Sequence, residues 1–168
     1  MGGWFSAAFC EPEPKMSGQF VKLGPWGGRT GAARDVQSPL NGRLRSVTVW
    51  SRGGAIDAIS FSHAVGDEDR PVLEGPWGRQ LGPSEVITLG DLEYVREIRG
   101  YTSTYSDAPQ EIVRSLQIIT SLRTYPANGV YGTNSGTPFS IPVVSGRIEG
   151  FFGCSGWYLD AIGVYVRP

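Results

Sequence analysis

Short runs in which apolar and polar residues alternate recur along the chain from about residue 20 to the C-terminus, and glycine, proline and serine separate them. Alternation with a period of two is typical of β-strands that bury one face. We find no convincing helical pattern. The clearest strand-like runs are residues 44–50, 58–62, 85–89, 94–98, 112–119, 137–142, 146–151 and 161–166. The pattern predicts an all-β fold.

Two landmarks repeat along the sequence. The tetrapeptide GPWG occurs at residues 24–27 and again at 75–78, a shift of 51 residues (75 minus 24), and a weaker copy ends at Gly132 with Tyr131 in the place of the tryptophan. The tripeptide DAI occurs at residues 57–59 and 160–162, a shift of 103 (160 minus 57), which is close to two periods. Such self-similarity indicates three β units of about 50 residues. Each unit is predicted to be a four-stranded Greek key.

Composition narrows the possible function. The 15 basic and 16 acidic residues balance, which argues against binding of nucleic acid or of a membrane surface through bulk charge. No apolar run approaches the ~18 residues of a membrane span, so no membrane insertion is expected. With one histidine and two cysteines we find no nucleophile–histidine constellation, no phosphate-binding glycine motif and no metal-ligand spacing. We therefore expect a protein that is not an enzyme and has no cofactor and no metal.

The N-terminal residues 1–19 are predicted to be a flexible extension, because the sequence EPEPK at residues 11–15 is rich in proline and charge and lacks periodicity. The folded domain is predicted to span residues 20–168. The N-terminus has no basic region typical of a signal peptide, and Cys10 and Cys154 do not make a disulfide framework. These features predict a reduced, cytoplasmic location, with the nucleus also open to the protein. Cys154 is expected to be an exposed free thiol.

The C-terminal segment carries the strongest chemical signal. A glycine followed four residues later by aspartate occurs three times, at Gly31–Asp35, Gly53–Asp57 and Gly156–Asp160, whereas chance predicts about one match. The second and third matches are followed by Ala-Ile in register with the internal repeat, and the first is interpreted as a coincidence. A tight glycine loop before a strand can direct backbone N–H donors and one carboxylate at the same small volume. Such an arrangement suits a polyhydroxylated ligand.

A glycosidase remains an alternative at this point. That reaction needs two carboxyl groups on either side of a glycosidic bond, and the sequence alone leaves open that Glu149 and Asp160 lie close together. The choice between a binding site and a hydrolytic site therefore depends on the distance between these two side chains.

Three motifs in the right order resemble those of the jacalin-related lectins of the mannose-specific plant type. They are GPWGG at residues 24–28, GTPFSIP at residues 136–142 and the terminal segment 150–165, and the resemblance covers residues 20–168. It implies a β-prism of three four-stranded Greek-key sheets with pseudo-threefold symmetry. It also implies reversible, metal-independent binding of mannose- or glucose-type glycans, by a homodimer or larger homo-oligomer.

The resemblance also implies which residues bind the sugar. Asp160 would accept hydrogen bonds from the O4 and O6 hydroxyls, and backbone N–H groups of Trp157, Tyr158 and Gly31 would donate to O6, the ring O5 and O3, respectively. Trp157 and Tyr158 are expected to be exposed and to stack on an extended glycan. The predicted primary site consists of Gly31, Gly156, Trp157, Tyr158, Leu159 and Asp160.

A second candidate site follows from the same geometry, which pairs the glycine loop of each unit with the aspartate loop of the preceding one. Its predicted members are Gly53, Gly54, Ala55, Ile56, Asp57 and Gly82. The bulky loop at residues 78–82 is expected to hinder entry. The third pairing, between residues 132–136 and 103–111, lacks the glycine–aspartate pattern and is expected to bind nothing.

A function of another class stays open. In that alternative the domain is a stress-related protein-interaction module whose sugar binding is weak or vestigial. Arg29 and Thr30, which replace smaller residues common in the first glycine loop of the family, keep this alternative in view.

Overall fold

The computed structural model describes residues 20–37, 40, 42–65, 70–105 and 108–168, and all of its regular structure is β. Strand pairing is antiparallel throughout these residues, and the all-β prediction is confirmed. The strands are β1 (Val21–Gly27), β2 (Ala32–Arg34), β3 (Leu44–Trp50), β4 (Ala58–Val65), β5 (Arg70–Gly78), β6 (Ser84–Thr88), β7 (Val95–Tyr105), β8 (Ala108–Thr120), β9 (Thr124–Tyr125), β10 (Tyr131–Gly132), β11 (Thr137–Pro142), β12 (Arg147–Ser155) and β13 (Leu159–Arg167). The predicted extension at residues 1–19 lies outside the described residues. In the part that is described, no helix has the length and apolar character needed to cross a membrane.

Hydrogen bonding divides the strands into two sheets. One has four strands in the order β5–β4–β3–β6. The other has nine strands, with the path β1–β13–β12–β7–β8–β10 and with β2, β9 and β11 attached to β12, β8 and β7. The β12–β7 pairing that joins its two halves is a single residue pair, Ile148 with Val95. The prediction of three separate four-stranded sheets is therefore met only in part.

Large apolar side chains from both sheets meet in one central core. Phe61 of β4 packs edge-to-face on Phe151 of β12 at 5.2 Å and on Trp77 of β5 at 5.4 Å between ring centroids. Phe61 and Phe151 are fully buried. Burial of an aromatic side chain contributes several kcal/mol, so these rings hold the two sheets together. Trp26 stacks on Phe139 at 6.3 Å, and both predicted tryptophan landmarks are thus structural.

The internal repeat is visible in three equivalent backbone contacts at one end of the molecule. The N–H groups of Gly28, Arg79 and Thr133 donate to the carbonyls of Asp160, Asp57 and Arg114, at 2.8, 3.1 and 2.9 Å respectively. Each donor follows a glycine with positive φ: Gly27, Gly78 and Gly132. The three units therefore place Asp57, Asp160 and Arg114 at equivalent positions.

Further hydrogen bonds tie these three positions together. The N–H of Leu159 donates to the carbonyl of Ile56 at 3.0 Å, and the N–H of Ile56 donates to the carbonyl of Val113 at 3.1 Å. Because backbone bonds fix the spacing of the loops, the side chains at Asp57, Arg114 and Asp160 are presented on a common rigid base.

Candidate functional site

Asp160 lies near the start of β13, directly after a tight turn at residues 156–158. The N–H of Gly156 donates to the carbonyl of Tyr158 at 3.1 Å, and Ser155 pairs with Leu159 where the β12–β13 hairpin closes. The turn is therefore closed by its own backbone bonds. Asp160 is only 2% exposed, so a charged group sits at the bottom of the loop.

Gly31 reaches Asp160 although 129 residues (160 minus 31) separate them in sequence. Strand β1 pairs with β13, and β2 pairs with β12 such that Ala32 lies opposite Ser155. Gly31 has φ of +83°, and a Cβ placed on it would lie 2.3 Å from Oδ2 of Asp160 and 2.7 Å from the carbonyl oxygen of Ser155. Only glycine meets both conditions. The predicted pairing of Gly31 with the residue 156–160 loop is thus what the structure shows.

The described residues give the Asp160 carboxyl no hydrogen-bond donor. In the described part of the chain, no backbone or side-chain group hydrogen-bonds its oxygens. Burial raises the pKa of Asp160 from 3.8 to about 7, because the charged form loses solvation. A buried acceptor without a partner is costly in the absence of ligand, and a donor-rich ligand would relieve that cost.

A cavity of about 300 Å³ opens onto this carboxyl. Its lining includes two residues of β8 that the sequence did not single out, Ala108 and Gln110. Both belong to the unit expected to bind nothing, and only the packing of β8 against the hairpin brings them here. The lining is formed by Gly31, Ala108, Gln110, Gly156, Trp157, Tyr158 and Asp160.

Two of the predicted primary-site side chains are more buried than expected. Leu159 is fully buried in the core, and its N–H already donates to Ile56, so it serves as support. Tyr158 is 5% exposed and packs edge-to-face on Tyr105 at 5.8 Å, so the prediction that its ring is exposed is wrong. Packing against the Tyr105 ring stabilises the Tyr158 ring in its buried position.

Trp157 is 68% exposed, as predicted, and stands at the rim of the cavity. The guanidinium of Arg79, from the adjacent loop at residues 78–82, lies 4.5 Å from the centre of the Trp157 ring. This cation–π contact holds one face of the indole. The bulk of the loop at residues 78–82 therefore supports the primary site.

The predicted second site is closed at its carboxylate. Arg52 Nε and Nη2 donate to Oδ1 of Asp57 at 3.2 and 2.9 Å, and the Arg52 backbone N–H donates to Oδ2 at 2.9 Å. The hydrogen bond to Asp57 raises the pKa of the Arg52 guanidinium. Asp57 thus has the donors that Asp160 lacks.

Two other members of the predicted second site are buried. Ile56 belongs to the central core, and Ala55 packs in a small cluster with Ile112 and Tyr158, so neither lines a surface site. The prediction that the Ala55 and Ile56 side chains belong to a surface site is therefore wrong. Gly53 and Gly54 remain at the loop surface.

The third unit carries a cation at the equivalent position. Arg114 Nε donates to the carbonyl of Gly54 at 2.8 Å, its Nη1 donates to the carbonyl of Thr104 at 2.8 Å, and the guanidinium lies 4.5 Å from the ring centre of Tyr105. Arg114 therefore holds the neighbouring loops together. The sequence placed the third counterpart near residue 108, whereas the structure places it at residue 114, within the long strand β8 (Ala108–Thr120).

The glycosidase alternative is excluded by distance. Glu149 lies beside Tyr165 and Val166, whereas Asp160 precedes Tyr165 by five residues, which is roughly 17 Å along the strand. Paired catalytic carboxyls are about 5–10 Å apart. Glu149 accepts a hydrogen bond from the N–H of Leu44 at 2.8 Å and forms an ion pair with Arg147. Its role is structural.

Cys154, at the C-terminal end of β12, is fully buried and takes part in a disulfide. The prediction of an exposed free thiol is therefore wrong. The cysteine count therefore does not support a reducing compartment. The N-terminal residues, on which the other argument for that compartment rests, lie outside the described residues.

Comparison with known proteins supplies the last observation on this site. A family model described as a jacalin-like lectin domain matches residues 23–165. Horcolin from Hordeum vulgare is 42% identical over 149 residues, which cover 88% of this chain and 97% of horcolin. A mannose binding jacalin related lectin from Ananas comosus has a structure that aligns with a TM-score of 0.80 at 40% identity, over 89% of this chain and 98% of that chain. A mannose-specific jacalin-related lectin from Morus nigra, solved in complex with mannose, aligns with a TM-score of 0.77 at 30% identity, over 94% of this chain and 100% of that chain.

Proposed function

This chain belongs to the jacalin-like lectin family, and from that premise we propose that it binds mannose- or glucose-type glycans, reversibly and without a metal, in the cavity between Gly31 and residues 156–160. It is a carbohydrate-binding protein and not an enzyme. The observation that carries the proposed site is the Asp160 carboxyl, which is buried, has no donor from the described residues and faces a cavity of about 300 Å³. A sugar supplies the missing donors.

Recognition would depend on the geometry of neighbouring hydroxyls. Asp160 accepts hydrogen bonds from the O4 and O6 hydroxyls, and these bonds are strong because the acceptor is charged. Backbone N–H groups of Gly31 and Trp157 donate to the sugar from the two sides of the loop. An axial O4, as in galactose, misses the carboxylate and leaves it buried without a partner, which costs about 1–3 kcal/mol. Preference for mannose and glucose over galactose follows.

The rim of the cavity suits a second sugar residue. Trp157 presents an indole face whose orientation is fixed by Arg79, and Gln110 is exposed on the opposite side, on β8. Aromatic faces stack on the apolar faces of sugars, and an amide can both donate and accept hydrogen bonds. An oligomannoside should therefore bind more tightly than a monosaccharide.

The alternative of a protein-interaction module with vestigial sugar binding is not favoured. The aligned structures named as mannose binding or mannose-specific lectins share 30–40% identity with this chain over nearly its whole length. The Gly31–Asp160 geometry is also intact, despite Arg29 and Thr30 in the preceding loop.

Three finer expectations belong to the same proposal. We propose that the strands form a three-sheet prism, and the single residue pair that joins the two halves of the nine-stranded sheet supports this division. We propose a homodimer or larger oligomer, because weak single sites gain useful avidity by multivalency. Light scattering that finds a strict monomer would count against it. A cytoplasmic location, with the nucleus also open to the protein, is proposed as well and can be tested by cell fractionation.

The test of the primary site is calorimetric titration with methyl α-mannoside, with a methyl galactoside as ligand control. The wild type is expected to show saturable mannoside binding that Asp160→Ala abolishes. The matched control is Asp57→Ala, which removes the same side chain at the equivalent position of another unit and should retain binding. A folded wild type that binds no mannoside, or an Asp160→Ala chain that binds normally, would refute the proposed site.

A further inference from the structure

We propose that Arg52 is a built-in blocking side chain which occupies a second, latent carbohydrate site at Asp57, so that the chain presents one open site where its architecture provides two. This inference rests on the function proposed above, since it assumes that the Asp160 cavity binds sugar. It concerns a different part of the surface and a residue, Arg52, that no sequence motif marks.

The first support is the equivalence of the two aspartate positions. A Cβ placed on Gly27 would lie 2.2 Å from the carbonyl oxygen of Asp160, and one placed on Gly78 would lie 2.1 Å from that of Asp57. Both glycines have positive φ, +125° and +107°. The backbone that approaches each aspartate is thus the same in the two units.

The second support concerns the glycine that flanks each carboxylate. Gly31 and Gly82 are separated by the repeat length of 51 residues (82 minus 31) and have φ of +83° and +72°. A Cβ on Gly31 would meet Oδ2 of Asp160 at 2.3 Å, whereas a Cβ on Gly82 would meet Cγ of Arg52 at 2.3 Å. The stem of Arg52 therefore fills the space between Gly82 and the Asp57 carboxylate.

The third support is what stands at the position of Arg52 in the open site. Trp50 pairs with Ala58, and Cys154 pairs with Ala161, so Ser51 and Ser155 are counterparts and Arg52 stands where the open site has Gly156. Gly156 has no side chain to reach over the carboxylate, and the hydroxyl of Ser155 accepts a hydrogen bond from Arg34 Nε at 2.8 Å. In contrast, the Arg52 guanidinium supplies Asp57 with the donors that a sugar would otherwise bring.

The loop around Asp57 does not need the Arg52 side chain to keep its shape. Thr133 Oγ1 donates to the carbonyl of Gly53 at 2.5 Å, and Arg114 Nε donates to the carbonyl of Gly54 at 2.8 Å. Ser51 Oγ donates to the carbonyl of Ala55 at 2.8 Å. These bonds persist when Arg52 is shortened, and the loop remains preorganised.

The blocking contact is also suited to removal. The Arg52 side chain is 50% exposed, whereas that of Asp57 is 2% exposed. Shortening a side chain at the surface leaves no internal cavity, but it removes the charge that pairs with the buried Asp57 carboxylate, which costs stability. The Arg52 backbone N–H would still donate to Oδ2 of Asp57 in a shortened variant, so the carboxylate keeps one partner.

The test combines Arg52 substitutions with removal of the primary site. Asp160→Ala alone should bind no methyl α-mannoside. Arg52→Ser, which removes the guanidinium and keeps a small polar side chain, should restore binding in the Asp160→Ala background, and a third substitution, Asp57→Ala, should abolish it again. In the otherwise wild-type chain, Arg52→Ser should raise the mannoside stoichiometry from one site per chain to two.

Two controls separate blocking from a general charge effect. Arg52→Lys keeps a cation beside Asp57 and should leave one site. Arg99→Ser removes another arginine that is 50% exposed and lies beside a glutamate, and it should change nothing. Arg52→Ala provides a second open variant, with folding checked by circular dichroism.

The outcomes distinguish this inference from the proposed function. If the wild type binds mannoside at Asp160 and the Arg52→Ser and Arg52→Ala variants gain no second site, the blocking role is wrong and the primary site stands. Unfolding of both variants would also overturn it, by showing that Arg52 is structural. If the wild type binds nothing, the primary site fails, and binding created by Arg52→Ser would still support the latent site; no binding by either chain refutes both.

Discussion

Replacing Asp160 with asparagine should abolish sugar binding and at the same time stabilise the folded chain above neutral pH. The side chain is 2% exposed, and burial raises the pKa of its carboxyl from 3.8 to about 7. The folded state therefore prefers the neutral carboxyl, whereas the unfolded chain ionises above about pH 4. Asparagine has nearly the same shape and no charge.

The magnitude follows from the two pKa values. One pKa unit corresponds to 1.36 kcal/mol, so a change from 3.8 to about 7 corresponds to about 4 kcal/mol. Below about pH 4 the carboxyl is neutral in both states, and the two proteins should have similar free energies of unfolding. Between about pH 4 and pH 7 the unfolded chain loses this proton while the folded chain keeps it, so the wild type loses stability relative to Asp160→Asn across that range. Above about pH 7 the difference levels off at about 4 kcal/mol in favour of Asp160→Asn.

Urea denaturation of both proteins between about pH 4 and pH 8 measures this difference. All other carboxyl groups titrate in both chains and cancel in the comparison. Asp57→Asn is the control, since Arg52 already pairs with Asp57 and no gain is expected there. A difference that does not change with pH, or an Asp160→Asn chain that is less stable at pH 8, would refute the argument from burial.

The same carboxyl should make sugar binding depend on pH. If the ionised form accepts the sugar hydroxyls, mannoside affinity falls about tenfold for each pH unit below 7, and protons are released when the sugar binds near neutrality. Calorimetry in two buffers with different ionisation enthalpies would detect those protons. Affinity that stays constant between pH 5 and pH 8 would contradict the assignment of Asp160 as acceptor.

Two substitutions near the cavity give further predictions. Gly31→Ala should abolish measurable mannoside binding, because its Cβ would collide with Asp160, and the positive φ should cost about 1–2 kcal/mol of stability in urea denaturation. Gly53→Ala is the control, because its Cβ would meet nothing within 4 Å and the substitution should cost only the backbone strain of positive φ. An equal loss of mannoside binding in the two variants would contradict the role of Gly31. Arg79→Ala should remove a contact worth about 0.5–1 kcal/mol, shift the fluorescence of Trp157 and weaken an oligomannoside more than methyl α-mannoside. Equal weakening of the two sugars would speak against Trp157 as a second contact surface.

Local patterns were sufficient for the class of fold. The alternation of apolar residues predicted β3 and β11 with the bounds that the structure has, Leu44–Trp50 and Thr137–Pro142. Such strands can be predicted because one face is buried and the other is exposed, so apolar and polar residues alternate along the sequence. Tyr131 in the tryptophan position was also predicted correctly, because a repeated core position keeps its requirement for a large ring.

The position of Gly31 beside Asp160 was predictable for a similar reason. Gly31 is required by its positive φ and by the close approach of the Asp160 carboxyl, whereas a Cβ on Gly156 would make only ordinary van der Waals contacts. The meeting of Gly31 with Asp160 depends on the pairing of β1 with β13, which the family resemblance supplied.

What the tertiary structure alone decided is the difference between the three equivalent loops. The sequence contains Asp57 and Asp160 in the same local pattern, yet the Arg52 side chain covers the first, while no described side chain donates to the second. Arg114 holds the third position, within the long strand β8 (Ala108–Thr120). Long side chains and inserted residues act through contacts between distant segments, and a local pattern contains no information on where such a side chain ends. The sequence by itself therefore determined the strands and the glycine turns. Tertiary packing determined which of the two aspartate carboxylates is free to bind a ligand.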